Sequence, residues 1–152
     1  MAKRKKNNLK WIKETLELKP DHRWESPPEY KIFVAGRGAV RFNVPHDWHF
    51  EPKENSFRFC DKKPPDDDCG LEVSYNHLPQ RDWSLFPLKR TLKKIIEDDS
   101  RNPFEVGEVI TVKRQTARIV WVEMKFIDTQ EEPREAFSRT CIAIGSNIQC
   151  LI

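Results

Sequence analysis

His46, Asp47 and His49 have the strongest claim to chemistry in this sequence. Two imidazoles three positions apart can share a metal ion when their segment is helical, and the run Asp66-Asp67-Asp68 offers carboxylates to complete the set. Pro45 and Trp48 oppose that arrangement. They read as a turn into a strand, where positions i and i+3 point to opposite faces. No metal site and no cofactor is therefore expected. A nucleophilic site needs a thiol or hydroxyl, a base, and a group that orients the base. Cys60, Cys69, Cys141 and Cys150, with His22, His46, His49 and His77, supply the parts, and Cys60 or Cys69 beside His77 is the arrangement most open to such use. No elbow motif accompanies them, and no catalytic residue is assigned. Each cysteine pair is nine residues apart, wider than the gap of about two to four residues in a zinc knuckle. Their ordinary reading is reduced thiols acting as small core hydrophobes.

Binding is the alternative to catalysis. Trp24, Tyr30, Trp48, Phe50 and Trp83 fall near the ends of expected elements. Aromatics there plug sheet ends or line a groove for a partner protein, and these residues are the candidate partner-binding set. Lys3, Arg4, Lys5 and Lys6 form a compact basic cluster. It reads either as a solvated terminus or as an electrostatic contact for nucleic acid or an anionic surface. The net charge is +3, but residues 1–20 hold seven basic and two acidic side chains, and the rest of the chain holds 20 basic and 22 acidic ones. The body is nearly neutral, so any nucleic-acid binding would reside in the tail.

The elements that position these residues follow from hydropathy period. A chain of 152 residues with 38% hydrophobic, 34% charged and 11% aromatic content fits a small, well-solvated domain. No run approaches the ~20 apolar residues of a membrane span, and no apolar stretch follows the basic start as a signal peptide requires. A cytoplasmic protein is expected. Val120, Val122, Met124 and Phe126 alternate through a strand over 118–127. The pattern resumes over 136–144, and Gly145-Ser146-Asn147 turns the chain into a third strand with Ile148, Cys150 and Ile152. Earlier strands are expected over 30–34, 39–42, 56–60 and around Leu71, Val73 and Tyr75, with another over 106–115. Gly36-Arg37-Gly38 reads as a turn and lacks the frame of a phosphate loop. Leu88, Leu92, Ile95 and Ile96 form a helical stripe, with Ser84 as its expected cap. Leu9, Ile12 and Leu16, beside Trp11, mark a shorter amphipathic helix ended by Pro20.

The expected fold is α+β: an antiparallel sheet of about six strands packed against one main helix, with the additional short N-terminal helix. Residues 1–28 form a basic tail, helix and linker, and 29–152 a single domain. The order of these elements, with Val44, Pro45 and Trp48 at the entry, resembles the PsbP-like fold family. That family includes a photosystem II extrinsic subunit, a Ran-GTPase release factor and bacterial relatives. Asp47 stands where the family's entry motif usually has glycine, and the likeness covers about residues 39 to 152. The family carries a further helix after the meander, whereas this chain ends at Ile152 within a strand. Either the N-terminal helix substitutes for it or the chain is truncated. The resemblance implies protein binding without catalysis, with a structural role for Val44, Pro45 and Trp48. The leading expectation is thus a non-catalytic protein-binding module acting through an aromatic groove or sheet face. An electrostatic binder using the basic N-terminus and a Cys/His hydrolase are the alternatives.

Overall fold

Alternation of apolar and polar residues places one row of a strand inward and the other outward. Arg118–Asp128 obeys that rule over its length: Val120, Val122 and Met124 are buried, whereas Ile119, Trp121, Glu123 and Lys125 are half-buried on the other face. The computed structural model describes residues 23–130, 132–145 and 147–152. Its strands, in chain order, are β1 (Tyr30–Ala35), β2 (Val40–Pro45), β3 (His49–Pro52), β4 (Phe57–Cys60), β5 (Gly70–His77), β6 (Glu105–Val106), β7 (Ile110–Lys113), β8 (Arg118–Asp128), β9 (Arg134–Ile144) and β10 (Ile148–Leu151). One α-helix, α1 (Leu88–Glu97), lies between β5 and β6.

This corrects the expected α+β fold. Among the described residues the protein is mostly β, 47% strand and 9% helical, with a single helix and two sheets of eight and two strands. The expectation of about six strands fails for local reasons. β3 is exposed at every position and ends in proline, so it shows no alternation to read. The stretch expected as one strand over 106–115 is two, β6 and β7, and β1 and β2 form a sheet of their own. The short N-terminal helix expected around Leu9 to Leu16 lies outside the described residues.

The chain divides into two units, Met1–Leu71 and Glu72–Ile152. In the first, β1 and β2 pair as an antiparallel hairpin, Phe33 opposite Phe42 and Ile32 opposite Asn43. Gly36 and Gly38, both at positive φ, make the tight connection between them, a conformation that side chains with a Cβ resist. β3 pairs with β4, Phe50 opposite Phe59. The rings of Phe33, Phe42, Phe50, Phe57 and Phe59 gather into one cluster, with centroid separations from 4.9 Å (Phe33–Phe59) to 6.3 Å (Phe57–Phe59). Phe57, Phe59 and Val44 are 1%, 1% and 0% exposed, so this cluster is the unit's core.

The second unit is built on β8. It pairs along its length with β9, β9 pairs with β10, and β10 pairs with β5. On its other edge β8 pairs with β6 and then β7. Leu88 and Leu92 of α1 pack on Val120, Val122, Met124, Ile142 and Ile144, and Trp83, Phe86, Ile95 and Ile96 border that core. The helix begins later than Ser84. Pro87 is its N-cap, with no side-chain cap, and Thr91 donates both its N–H and its hydroxyl to the Pro87 carbonyl. Pro87 lacks an N–H, so the first turn loses nothing by starting there. Ser84 instead donates its N–H to Asp82 Oδ1 in the preceding turn. Among the described residues no helix is long and apolar enough to cross a membrane.

Candidate functional site

The outer face of the β1–β2 hairpin carries a cleft of about 350 Å³, lined by Arg23, Trp24, Glu25, Ile32, Arg41, Phe42 and Asn43. Its construction follows from strand parity. Phe33 and Phe42 point into the phenylalanine core, so Ile32, Arg41 and Asn43, their immediate neighbours, are on the opposite face. Tyr30 and Val34 share that face with Ile32. The hairpin thus presents an apolar row from β1 beside a polar row from β2. The irregular segment before β1 crosses this face, with the Arg41 guanidinium 4.5 Å from the centre of the Trp24 ring. A cation–π contact of this kind holds a guanidinium by its charge and forms no hydrogen bond of its own. Among the described residues no carboxylate pairs with Arg23 or Arg41, although Glu25 shares the cleft.

Of the aromatic candidates, Trp24, Tyr30, Trp48 and Phe50 belong to the first unit and Trp83 to the second. Trp24 lines the cleft, and Tyr30, 40% exposed, opens β1 on the same face. Trp48 is half-buried in the turn after β2, where its N–H donates to the Pro45 carbonyl at 3.2 Å. Phe50 contacts the phenylalanine core from β3, 5.3 Å from Phe59. Trp83 has a packing role. It borders the α1 core, donates Nε1–H to the Pro79 carbonyl at 2.9 Å, and carries Arg81 over its ring at 4.0 Å. Lys3, Arg4, Lys5 and Lys6 lie outside the described residues. Arg23, Ile32, Arg41 and Asn43 were not singled out by the sequence reading. The alternation Val40-Arg41-Phe42-Asn43-Val44 was the signal, and it assigns Arg41 and Asn43 to one outward row.

His46 and Asp47 occupy the exposed turn after β2, and His49 opens β3 directly opposite Cys60. Cys60 is 0% exposed, and burial pushes its thiol up, outweighing the neighbouring Arg58 charge. A thiol held protonated is a poor nucleophile. Burial likewise raises Cys141, and it raises Cys150 to about 11 with Cys141 adding to the effect. The aspartate run is engaged by cations: Asp67 pairs with Arg58 at 2.9 Å and Asp68 with Lys62 at 3.4 Å. Asp61 closes the same loop by accepting N–H bonds from Cys69, Asp68 and Lys62. The bond from Cys69 contributes most to holding its carboxyl below the ordinary range.

In the second unit, Arg118 donates to the Trp83 carbonyl at 2.6 Å and the Phe86 carbonyl at 3.2 Å, fixing the turn that launches α1. A smaller cleft of about 190 Å³ lies there, lined by residues that include Phe86, Lys89, Thr111 and Arg118. Its arginine already has two carbonyl partners, whereas Arg23 and Arg41 have no ion pair among the described residues.

The family model Alr1449 matches residues 31–152. The chain is 74% identical over 152 residues to a Nostoc sp. protein described as "Uncharacterized protein alr1449", covering all of this chain and 79% of that relative. Both matches take in β2, α1 and the β8–β10 meander, and on them the chain belongs to the Alr1449 family.

Proposed function

We propose that this chain is a non-catalytic protein-binding module whose partner docks on the outer face of the β1–β2 hairpin, around Trp24 and Arg41. One observation carries the reading: two arginines without an ion pair among the described residues share a cleft with an indole beside an apolar strand row. Specific interfaces are enriched in tryptophan, tyrosine and arginine, the types gathered on this face. The likeness of Val44, Pro45 and Trp48 to the PsbP-like entry motif adds support, since that family acts by binding proteins. The raised Cys60, Cys141 and Cys150 thiols weigh against the hydrolase reading. All four cysteines are free, which suits a reducing compartment and a cytoplasmic location.

The test places a photo-crosslinking residue at position 43 of the full chain, in extract of the source cells, with a second preparation carrying it at position 93 on the exposed side of α1. A discrete adduct with one protein at 43, diminished by Arg41→Gln, is the expected result. The same adducts at 43 and 93 would sink the reading.

A further inference from the structure

We infer that the cleft takes an extended acidic segment of the partner protein, its carboxylates on Arg23 and Arg41 and an apolar side chain over Ile32. This rests on the reading of the hairpin as the docking face and names the chemistry that the face selects.

The first argument is charge. Two arginines against one glutamate leave the lining cationic, and neither arginine is neutralised by an ion pair among the described residues. A guanidinium presents N–H groups in a rigid fork that matches a carboxylate with two parallel bonds. Arg41 lies over the Trp24 ring, its guanidinium carbon 4.5 Å from the ring centre, and a cation–π contact forms no donor–acceptor bond that would compete with a carboxylate. Stacking also restrains a side chain that would otherwise lose rotamer freedom on binding.

The second argument is shape. At about 350 Å³ the cleft is at the low end of ligand sites. That is room for a few side chains of a longer ligand. Ile32 and Asn43 stand opposite each other across the hairpin, one apolar and one able to hydrogen-bond, with Arg41 two positions along. A ligand that alternates acidic and apolar side chains would meet matching rows.

The third argument separates this occupant from its rivals. The chain's own N-terminus is a poor fit, because residues 1–20 hold seven basic and two acidic side chains. A second copy would offer the run Asp66 to Asp68, but Asp67 is already bonded to Arg58 and Asp68 to Lys62.

The experiment titrates the full chain, by Trp fluorescence and calorimetry, with an acetylated and amidated octapeptide alternating aspartate and leucine. Its counterpart has asparagine for every aspartate, and a thymidine octanucleotide serves as the nucleic-acid probe. The aspartate peptide should bind at least about tenfold more tightly than the asparagine one, and Arg41→Gln and Arg23→Gln should each weaken it by about tenfold, the loss of one charge-assisted contact. Arg41→Lys should recover only part, because it keeps the charge and loses the fork. Equal binding of the two peptides, indifference to both arginine variants, or tighter binding of the oligonucleotide would overturn the inference. A position-43 adduct that persists in any of those cases would leave the docking face itself standing. In the purified chain, a link from position 43 to residues 1–22, or to a second copy, would assign the cleft to that occupant and overturn the acidic partner.

Discussion

Replacing Phe59 with alanine tests the packing that holds the candidate site in place. Phe59 is 1% exposed, and its ring lies 4.9 Å from Phe33, 5.9 Å from Phe42, 5.3 Å from Phe50 and 6.3 Å from Phe57, two of which belong to the hairpin that carries the cleft. All four separations fall within the range where aromatic pairs attract beyond their buried area. Truncating a buried phenylalanine to alanine costs about 3–5 kcal/mol, from lost burial and the cavity left behind. We expect about 4 kcal/mol, a large share of the ~5–15 kcal/mol that keeps a domain folded. In urea, with a slope of about 2 kcal/mol per molar, the midpoint should fall by roughly 2 M at unchanged slope. Phe59→Leu keeps most of the volume and should cost less. A cycle of Phe33→Leu, Phe59→Leu and the double variant should return a coupling of about 0.5–1.5 kcal/mol. A loss below about 1 kcal/mol for the alanine variant, or no coupling in the cycle, would refute the argument that the rings tie the hairpin to β3–β4.

Arg118→Ala removes the donor to the Trp83 and Phe86 carbonyls; it should destabilise the protein by about 1–3 kcal/mol in chemical denaturation, and Arg118→Lys should restore part of that. Thiol labelling of the native chain should modify exposed Cys69 first, and Cys150, held at about 11, should resist until the pH approaches that value; prompt labelling of Cys150 at neutral pH would contradict its burial. The Asp99 carboxyl is held low, chiefly by its hydrogen bonds from Arg101. A depressed folded value means the contribution is present above the unfolded carboxylate range, about 3.9, and is lost as pH falls through the folded value. Asp99→Asn should therefore lower stability at neutral pH and converge with the parent in strong acid, as read by thermal melting; a difference that persists at the acid end would exclude this linkage.

The longest elements were legible because their periods are unbroken: Val120, Val122 and Met124 in β8, and Leu88, Leu92, Ile95 and Ile96 in α1. Where period failed, a local device replaced it. Between Val106, opposite Met124, and Ile110, opposite Trp121, the outer strand has one residue more than β8 does. That is a bulge, and it flips the side-chain alternation midway. Part of the candidate site was open to the same reasoning, since Arg41 and Asn43 are exposed and alternate with the half-buried Val40 and Phe42 and the buried Val44. Trp24 was marked by its type and its place near the end of an expected element. Its arrival over Arg41 is a long-range contact made by an irregular segment, and no repeat in the sequence records it.

The bulge also bears on self-association. A sheet margin formed by one straight strand offers a continuous row of unpaired amides and carbonyls to any passing chain. Here that margin is made of a two-residue strand and a four-residue one, interrupted where Gly107 bonds back to Glu123. A foreign strand could follow neither piece far, so the sheet is guarded on this side against runaway polymerisation by the shape of its border alone.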